Sequence, residues 1–178
     1  MKKYIILYRP FLVFLAKFFL IYLVLTLIYQ GYLLCFEEHS VDGITRYVAI
    51  NTEQFLRLFD VDFTISEKAK TSYIMLYYNQ KAIARVIEGC NAISVVILFI
   101  SFVVSFSGKF KPTLFFILGG SLFIYILNVI RIALLCLALY WFPEQKVMLH
   151  EIVFPLFIYG VVFILWIIWV NKFSLYAK

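Results

Sequence analysis

The stretch that decides the fold runs from Arg85 to Ser107, RVIEGCNAISVVILFISFVVSFS, and joins a charged segment to a long apolar one. Cys90 lies where the charged residues end and the apolar run begins. Two later stretches also have a polar, reactive side chain in or beside an apolar run. Arg131 lies within LNVIRIALL, and His150 opens the apolar run of MLHEIVFPLF. A thiol, a guanidinium and an imidazole therefore lie at the ends of three apolar segments, which makes them candidates for one shared site.

The composition is that of a membrane protein. Of the 178 residues, 65% are hydrophobic and 20% are aromatic, and the mean hydropathy is +0.97, whereas roughly half of the residues in a soluble domain are apolar. The net charge of +6 does not predict nucleic-acid binding, because the basic residues flank apolar runs instead of forming one stripe. We expect a single membrane domain over residues 1–178.

Four apolar runs have the character of membrane-spanning helices, which need about 20 residues to cross a hydrocarbon core of about 30 Å. The first run is longer than the core of a signal peptide and lacks a small-residue cleavage site, so we expect an uncleaved span. The sequence thus predicts an all-α polytopic membrane protein, a bundle of about four transmembrane helices over residues 11–34, 90–107, 112–140 and 150–170.

The segment between the first two spans, residues 35–89, is much more polar and predicts a small surface subdomain. Asp42 is placed to cap an amphipathic helix through GITRYVAINTEQFLRLF, whose apolar face would comprise Ile44, Val48, Phe55, Leu56 and Phe59. The stretch SYIMLYYNQKAIARVIEG then predicts a β-hairpin with its turn at Asn79-Gln80-Lys81. His39 is expected on a solvated face of this segment.

Basic residues near the helix ends indicate the topology. With the N-terminus in the cytoplasm, the short inner segments (1–10, 108–112 and 171–178) carry seven basic residues and no acidic one, while seven bases are spread over the much longer outer segments. This density favours a cytoplasmic-membrane protein with both termini inside. Cys90 and His150 then open their spans at the outer face. Arg131, 19 residues after Pro112, lies roughly 28 Å along its helix and so close to the same face.

Arg131 and His150 each allow two interpretations. A charge within a span is costly and usually faces the bundle interior at a functional site, and Arg131 continues a polar stripe formed by Ser121, Tyr125 and Asn128. Alternatively, its long side chain reaches the outer headgroups. His150 is suited to proton transfer near neutral pH, or else it is an interfacial cap of the last span.

Cys90 allows three interpretations. Buried cysteine is commonly a packing residue, and the following helix has a small-residue side formed by Ser94, Ser101 and Ser105. A disulfide with Cys35, which closes the first span at the same face, is the second. The third is a nucleophile, activated by a helix N-terminus, a cation and an imidazole. Cys136 is predicted to be a packing residue.

Several other chemistries lack their motifs. HExxH, GxSG and Cys-x-x-Cys are all absent, and two histidines among scattered carboxylates do not have the spacing of a zinc site. We therefore expect no metal and no cofactor.

The three stretches around the thiol, guanidinium and imidazole resemble the exosortase/archaeosortase family. Its members share a cysteine at the head of one helix, an Asn-x-x-Arg or Asn-x-x-x-Arg segment, and a His or Arg that opens another helix. The matching residues here are Glu88-Gly89-Cys90-Asn91-Ala92, Leu127-Asn128-Val129-Ile130-Arg131 and Leu149-His150-Glu151. The resemblance covers roughly residues 70 to 170 and is strongest to the short exosortase F-type branch. The family's common Cys-Ser-Gly is Cys90-Asn91-Ala92 in this chain.

The resemblance implies a sortase-like cysteine protease or transpeptidase at the outer face of the cytoplasmic membrane. Its substrates would be exported proteins with a C-terminal sorting signal, which consists of a short motif, a transmembrane helix and a basic cluster. Cleavage would be followed by transfer to an unidentified acceptor. Membrane lipids and a small system-associated membrane protein are the other implied partners.

The same resemblance implies roles for individual residues. Cys90 would be the nucleophile, His150 the general acid and base, and Arg131 the group that stabilises the oxyanion or positions the substrate. Three neighbours would support the site: Asn128, Asn91 and Glu88. The alternative is a non-catalytic membrane assembly or scaffold protein with a structural Cys35–Cys90 disulfide.

Overall fold

The computed structural model describes residues 8–36, 40–68, 71–106 and 108–173. These ranges form five α-helices and a three-stranded sheet: α1 (Arg9–Leu33), α2 (Gly43–Arg57), β1 (Phe63–Glu67), β2 (Ile74–Tyr78), β3 (Lys81–Val86), α3 (Ile93–Ser105), α4 (Phe110–Trp141) and α5 (Phe154–Lys172). His39 and the last residue of the second predicted span, Ser107, lie outside the described residues.

Within these described ranges, three helices are long and apolar enough to cross a membrane: α1, α4 and the continuous helical stretch Met148–Lys172 that ends in α5. They correspond to the predicted spans 11–34, 112–140 and 150–170. The remaining predicted span, 90–107, contains α3, which is apolar but has only 13 residues. At 1.5 Å per residue α3 is about 20 Å long, shorter than a hydrocarbon core of about 30 Å. A fourth span therefore stays a prediction.

The predicted amphipathic helix is confirmed as α2. The Asp42 carboxylate accepts hydrogen bonds from the backbone N–H groups of Ile44 (2.9 Å) and Thr45 (3.0 Å), which satisfies donors that the first helical turn leaves free. Of the predicted apolar face, Val48 and Leu56 are buried. The placement of Phe59 on that face is wrong: the helix ends at Arg57, and Phe59 lies beyond it with 66% of its surface exposed.

The predicted hairpin is also confirmed, since β2 and β3 pair antiparallel with Tyr78 opposite Lys81. Its turn consists of Asn79 and Gln80, both with positive φ (47° and 61°), the backbone that a two-residue hairpin turn requires. Lys81 thus belongs to β3 and not to the turn. The sequence did not predict β1, which adds to β2 and makes the order β1-β2-β3.

An ion pair joins α2 to the sheet on its outer side. The Arg46 guanidinium donates two hydrogen bonds to the Glu67 carboxylate of β1, with N–O distances of 3.0 and 2.7 Å. This contact raises the pKa of Arg46 above its ordinary value, because the carboxylate stabilises the charged guanidinium. The pair is half-exposed, so its contribution to stability is small.

The subdomain packs on the C-terminal turns of α4. One buried cluster combines residues from α2, the sheet and α4: Val48, Ala49, Leu56, Phe63, Ile74, Leu76, Val86, Ile132, Ala133 and Cys136. At the tip of the hairpin, the Tyr78 ring lies 4.4 Å from the Tyr140 ring, centroid to centroid. The 32 residues of α4 extend about 48 Å, so about 12 of them exceed the hydrocarbon thickness. The sheet packs on the C-terminal part of this helix.

Candidate functional site

A cavity of about 280 Å³ lies where the sheet, α4 and the segment before α5 meet, and Cys90, Arg131 and His150 all line it. These residues come from three separate segments of the chain, and the fold brings them to one place. Their chemical roles stay predictions. A thiol, a guanidinium and an imidazole around one cavity form a set that can attack, protonate and stabilise a carbonyl compound.

Cys90 lies in a short 3₁₀ turn, Glu88–Cys90, that links β3 to α3. Its backbone N–H donates to the carbonyl of Ile87 (2.8 Å). The expectation that Cys90 itself begins the apolar helix is wrong, because α3 begins three residues later, at Ile93. Ala92 between them has a left-handed backbone (φ 62°), which interrupts the helical path.

Asn91 anchors the turn that carries Cys90. Its side-chain carbonyl accepts from the N–H of Ile93 (3.0 Å), the first residue of α3. Its Nδ2 donates to the hydroxyls of Tyr29 in α1 (2.7 Å) and Thr45 in α2 (3.1 Å). Asn91 is buried, with 2% of its surface exposed. It therefore supports the site by fixing the turn against two other helices and does not line the cavity.

Asn128 connects the cysteine turn to the arginine. Its Nδ2 donates to the backbone carbonyl of Cys90 (2.8 Å), and its Oδ1 accepts from Nη1 of Arg131 (3.2 Å). The side chain is fully buried, so both bonds form away from water, where losing one is costly. One amide thus sets the position of Cys90 relative to Arg131.

Arg131 is half-buried and retains donors that no described residue uses. Its Nε is buried without a hydrogen-bond partner among the described residues, while Nη1 bonds Asn128. The guanidinium also lies within electrostatic range of the Cys90 thiol and the Tyr159 hydroxyl of α5. Because a guanidinium has five N–H donors, this one can still bind an oxygen that enters the cavity. The cavity position favours the interior interpretation over contact with headgroups.

Three of the four residues in the polar stripe predicted on α4 contact the subdomain or the cysteine turn, or line the cavity. The Tyr125 hydroxyl accepts from Nδ2 of Asn51 in α2 (2.6 Å), Asn128 bonds the cysteine turn, and Arg131 lines the cavity. The Ser121 hydroxyl is buried without a partner in the described part of the chain. The stripe therefore joins α4 to the subdomain along one side.

His150 lies on the cavity wall, in a stretch of π-helix, Met148–Val153, that leads into α5. Its side chain is exposed, and within the described ranges no hydrogen bond joins it to Cys90 or Arg131. In structures without substrate, hydrogen bonds between catalytic groups are often long and tighten only in the complex. His150 thus lines the cavity, but its side chain forms no hydrogen bond with the Cys90 thiol in the described chain.

Glu88 is not brought into the cavity. Its side chain is exposed, and no hydrogen bond or ion pair within the described residues joins it to the three central groups. Sequence reasoning did not assign to the site three other charged residues that line the cavity: Arg85, Lys146 and Glu151. Arg85 precedes Cys90 by five residues and Lys146 precedes His150 by four, but no local pattern shows that two such segments face one cavity.

The cysteines are all free thiols, so the Cys35–Cys90 disulfide is not formed in this structure. Cys35 is exposed and its thiol donates to the carbonyl of Gly31 (3.5 Å). Cys136 is buried in the cluster between α4 and the sheet, as predicted for a packing residue, and it also borders the cavity.

Within residues 8–36, 40–68, 71–106 and 108–173, no group of three or more His, Cys, Asp or Glu side chains is placed to hold a metal ion.

Comparison with known proteins identifies no relative. No family model matches the chain, and neither a curated protein nor a solved structure does. The function therefore has to be inferred from the site.

Proposed function

We propose that this protein is an exosortase-like cysteine protease or transpeptidase that cleaves C-terminal sorting signals from exported proteins. The observation that supports it is the meeting of Cys90, Arg131 and His150 around one cavity. Asn128 supports it further, because it bonds the cysteine turn and the arginine at once. Packing alone does not require these three reactive groups at one place.

The reaction would proceed through a thioester. His150 takes the proton of the Cys90 thiol, and the sulfur attacks the scissile carbonyl carbon. The free N–H donors of Arg131 stabilise the oxyanion that forms. The tetrahedral intermediate then expels the amine of the C-terminal signal, which receives the proton from His150. An acceptor amine attacks the thioester, passes its proton to His150 and releases the Cys90 thiolate.

The proposed setting is the outer face of the cytoplasmic membrane, with both termini inside. Four spans are required for this arrangement, and the fourth would be built on α3, extended by its flanking residues. The density of basic residues at the inner ends supports this orientation. Arg131 lies 21 residues into α4, about 32 Å from its start, which is consistent with a cavity at the membrane boundary.

The proposed partners follow from the reaction and from the family resemblance. They are exported proteins that end in a motif, a transmembrane helix and a basic cluster; an acceptor that carries an amine or another nucleophile; the surrounding lipids; and a small system-associated membrane protein. All catalytic groups in the steps above are side chains of this protein.

The test compares cells that carry the wild-type protein with cells that carry Cys90→Ala. We expect exported proteins to keep their C-terminal segment only in the variant cells, as measured by mass spectrometry of their C-termini. In the wild type, a hydroxylamine-labile adduct on Cys90 should accumulate when acceptor is limiting. Cys35→Ala, which changes an exposed thiol outside the cavity, and Cys136→Ala should retain the adduct. Identical C-termini in both strains would refute the proposal.

A further inference from the structure

The outer edge of β3 pairs with no backbone among the described residues. The strand order β1-β2-β3 leaves β3 at one side of the sheet, and no backbone hydrogen bond in the described chain joins its outer edge to another segment. An edge of this kind presents a row of N–H and C=O groups that can pair with another extended chain. Native proteins commonly cover or charge such edges, and Lys81 and Arg85 are the charged residues of this strand.

This edge leads directly into the cavity. Ala84, Arg85 and Val86 of β3 line it together with Cys90, which follows the strand by four residues. Another wall comes from the segment with Lys146 and His150. An extended chain that pairs with the outer edge of β3 would therefore pass beside both the thiol and the imidazole.

The direction of β3 relative to α4 is set by contacts at its two ends. Two residues before β3 begins, Asn79 Nδ2 donates to the Tyr140 hydroxyl (3.4 Å). Beyond its last residue, the Cys90 carbonyl accepts from Asn128 (2.8 Å). Asn128 and Tyr140 are 12 residues apart on α4, about 18 Å along the helix. β3 therefore runs from the C-terminal end of α4 back toward the level of Arg131.

We propose that the outer edge of β3 binds the extended segment of the substrate that precedes the scissile bond, as a fourth strand parallel to β3. This inference rests on the proposed function. The substrate has its exported part away from the membrane and its C-terminal helix within it, so its chain runs toward the membrane as β3 does. Main-chain pairing supplies affinity with little dependence on side chains, which suits a protein that processes several substrates.

The experiment uses a photo-crosslinking amino acid in the full-length Cys90→Ala chain, in cells. It is placed at Ala82 or Arg85 of β3 and, as the matched control, at Thr64 of the other edge strand, β1; all three side chains are exposed. The probe is an exported protein that keeps its C-terminal segment in Cys90→Ala cells. Each crosslinking variant is also purified, and an unfolding temperature equal to that of the unsubstituted chain shows that the fold is intact.

We expect adducts from both β3 positions and none from Thr64. In parallel pairing, the Arg85 adduct lies nearer the scissile bond of the probe than the Ala82 adduct does. The reverse order would overturn the parallel arrangement. Adducts from Arg85 alone, from Thr64 equally or from no position would overturn strand pairing and leave the proposed function standing. If no exported protein keeps its C-terminal segment, both proposals fall together.

Discussion

The two ends of the helix bundle are held together by different interactions. At the end that meets the sheet, buried amides bond single atoms: Asn91 to the hydroxyls of Tyr29 and Thr45, and Asn128 to the carbonyl of Cys90. At the opposite end, aromatic rings from α3, α4 and α5 pack against one another. Their cluster includes Phe99, Phe102, Phe116, Trp166 and Trp169.

The difference matters for function because hydrogen bonds fix positions and ring packing fills volume. A hydrogen bond is directional and fails within a few tenths of an ångström, so the polar end can hold a thiol and a guanidinium in register. Ring contacts tolerate small shifts and contribute mostly through buried surface. Substitutions at the aromatic end should therefore mainly lower the free energy of unfolding, whereas substitutions at the polar end should mainly lower the rate of processing.

The largest effect should come from the aromatic end, in Trp169→Ala. Trp169 is fully buried and its ring lies 5.1 Å from that of Phe116, so the change should lower the free energy of unfolding by about 4 kcal/mol. The rate at which each folded molecule processes the exported protein should be unchanged. The measurement is thermal unfolding in detergent beside processing of the exported protein.

Trp169→Phe is the matched control for that substitution. It keeps a ring and removes an Nε1 that is buried without a hydrogen-bond partner in the described chain. Its stability should fall by much less than that of the alanine variant. A loss of processing in folded Trp169→Ala protein would contradict the division between the two ends.

The next effect should come from the polar end, in Arg131→Lys. Lysine keeps the positive charge but lacks the planar guanidinium. In Arg131 that group bonds Asn128 through Nη1, and its Nε has no partner among the described residues. We expect processing to fall about 10²-fold, equivalent to about 3 kcal/mol in the transition state, with little change in unfolding temperature. A variant that processes normally would show that Arg131 is a packing residue.

The smallest effect should come from Ala92→Gly. Ala92 has a left-handed backbone (φ 62°), which costs a non-glycine residue about 1 kcal/mol or slightly more. Its methyl group is buried, and burial contributes about 0.8 kcal/mol. The two terms nearly cancel, so glycine should raise the free energy of unfolding by a few tenths of a kcal/mol, measured by thermal unfolding. A clear loss of stability would show that packing of this methyl outweighs backbone strain.

Local features were predictable where neighbouring residues determine them. The cap at Asp42 and the hairpin turn at Asn79 follow from side-chain and backbone preferences over a few residues. Strand β1 was missed because FTISE is five residues long and has only one buried residue, Phe63, too weak a pattern to identify a strand. The start of α3 was misplaced because the apolar run continues across a left-handed Ala92 that hydropathy does not detect.

The sequence by itself determined the apolar lengths of three potential spans, the cap and the hairpin, and it identified the three reactive groups. These depend on hydrophobic periodicity and on sterics between near neighbours. Only the tertiary structure decided that Asn128 bonds the carbonyl of Cys90, 38 residues away, and that Asn91 bonds Tyr29, 62 residues away. It also decided that Arg85 and Lys146 join the cavity. Such contacts depend on how distant helices pack, and packing is set by the complementary shapes of many side chains at once.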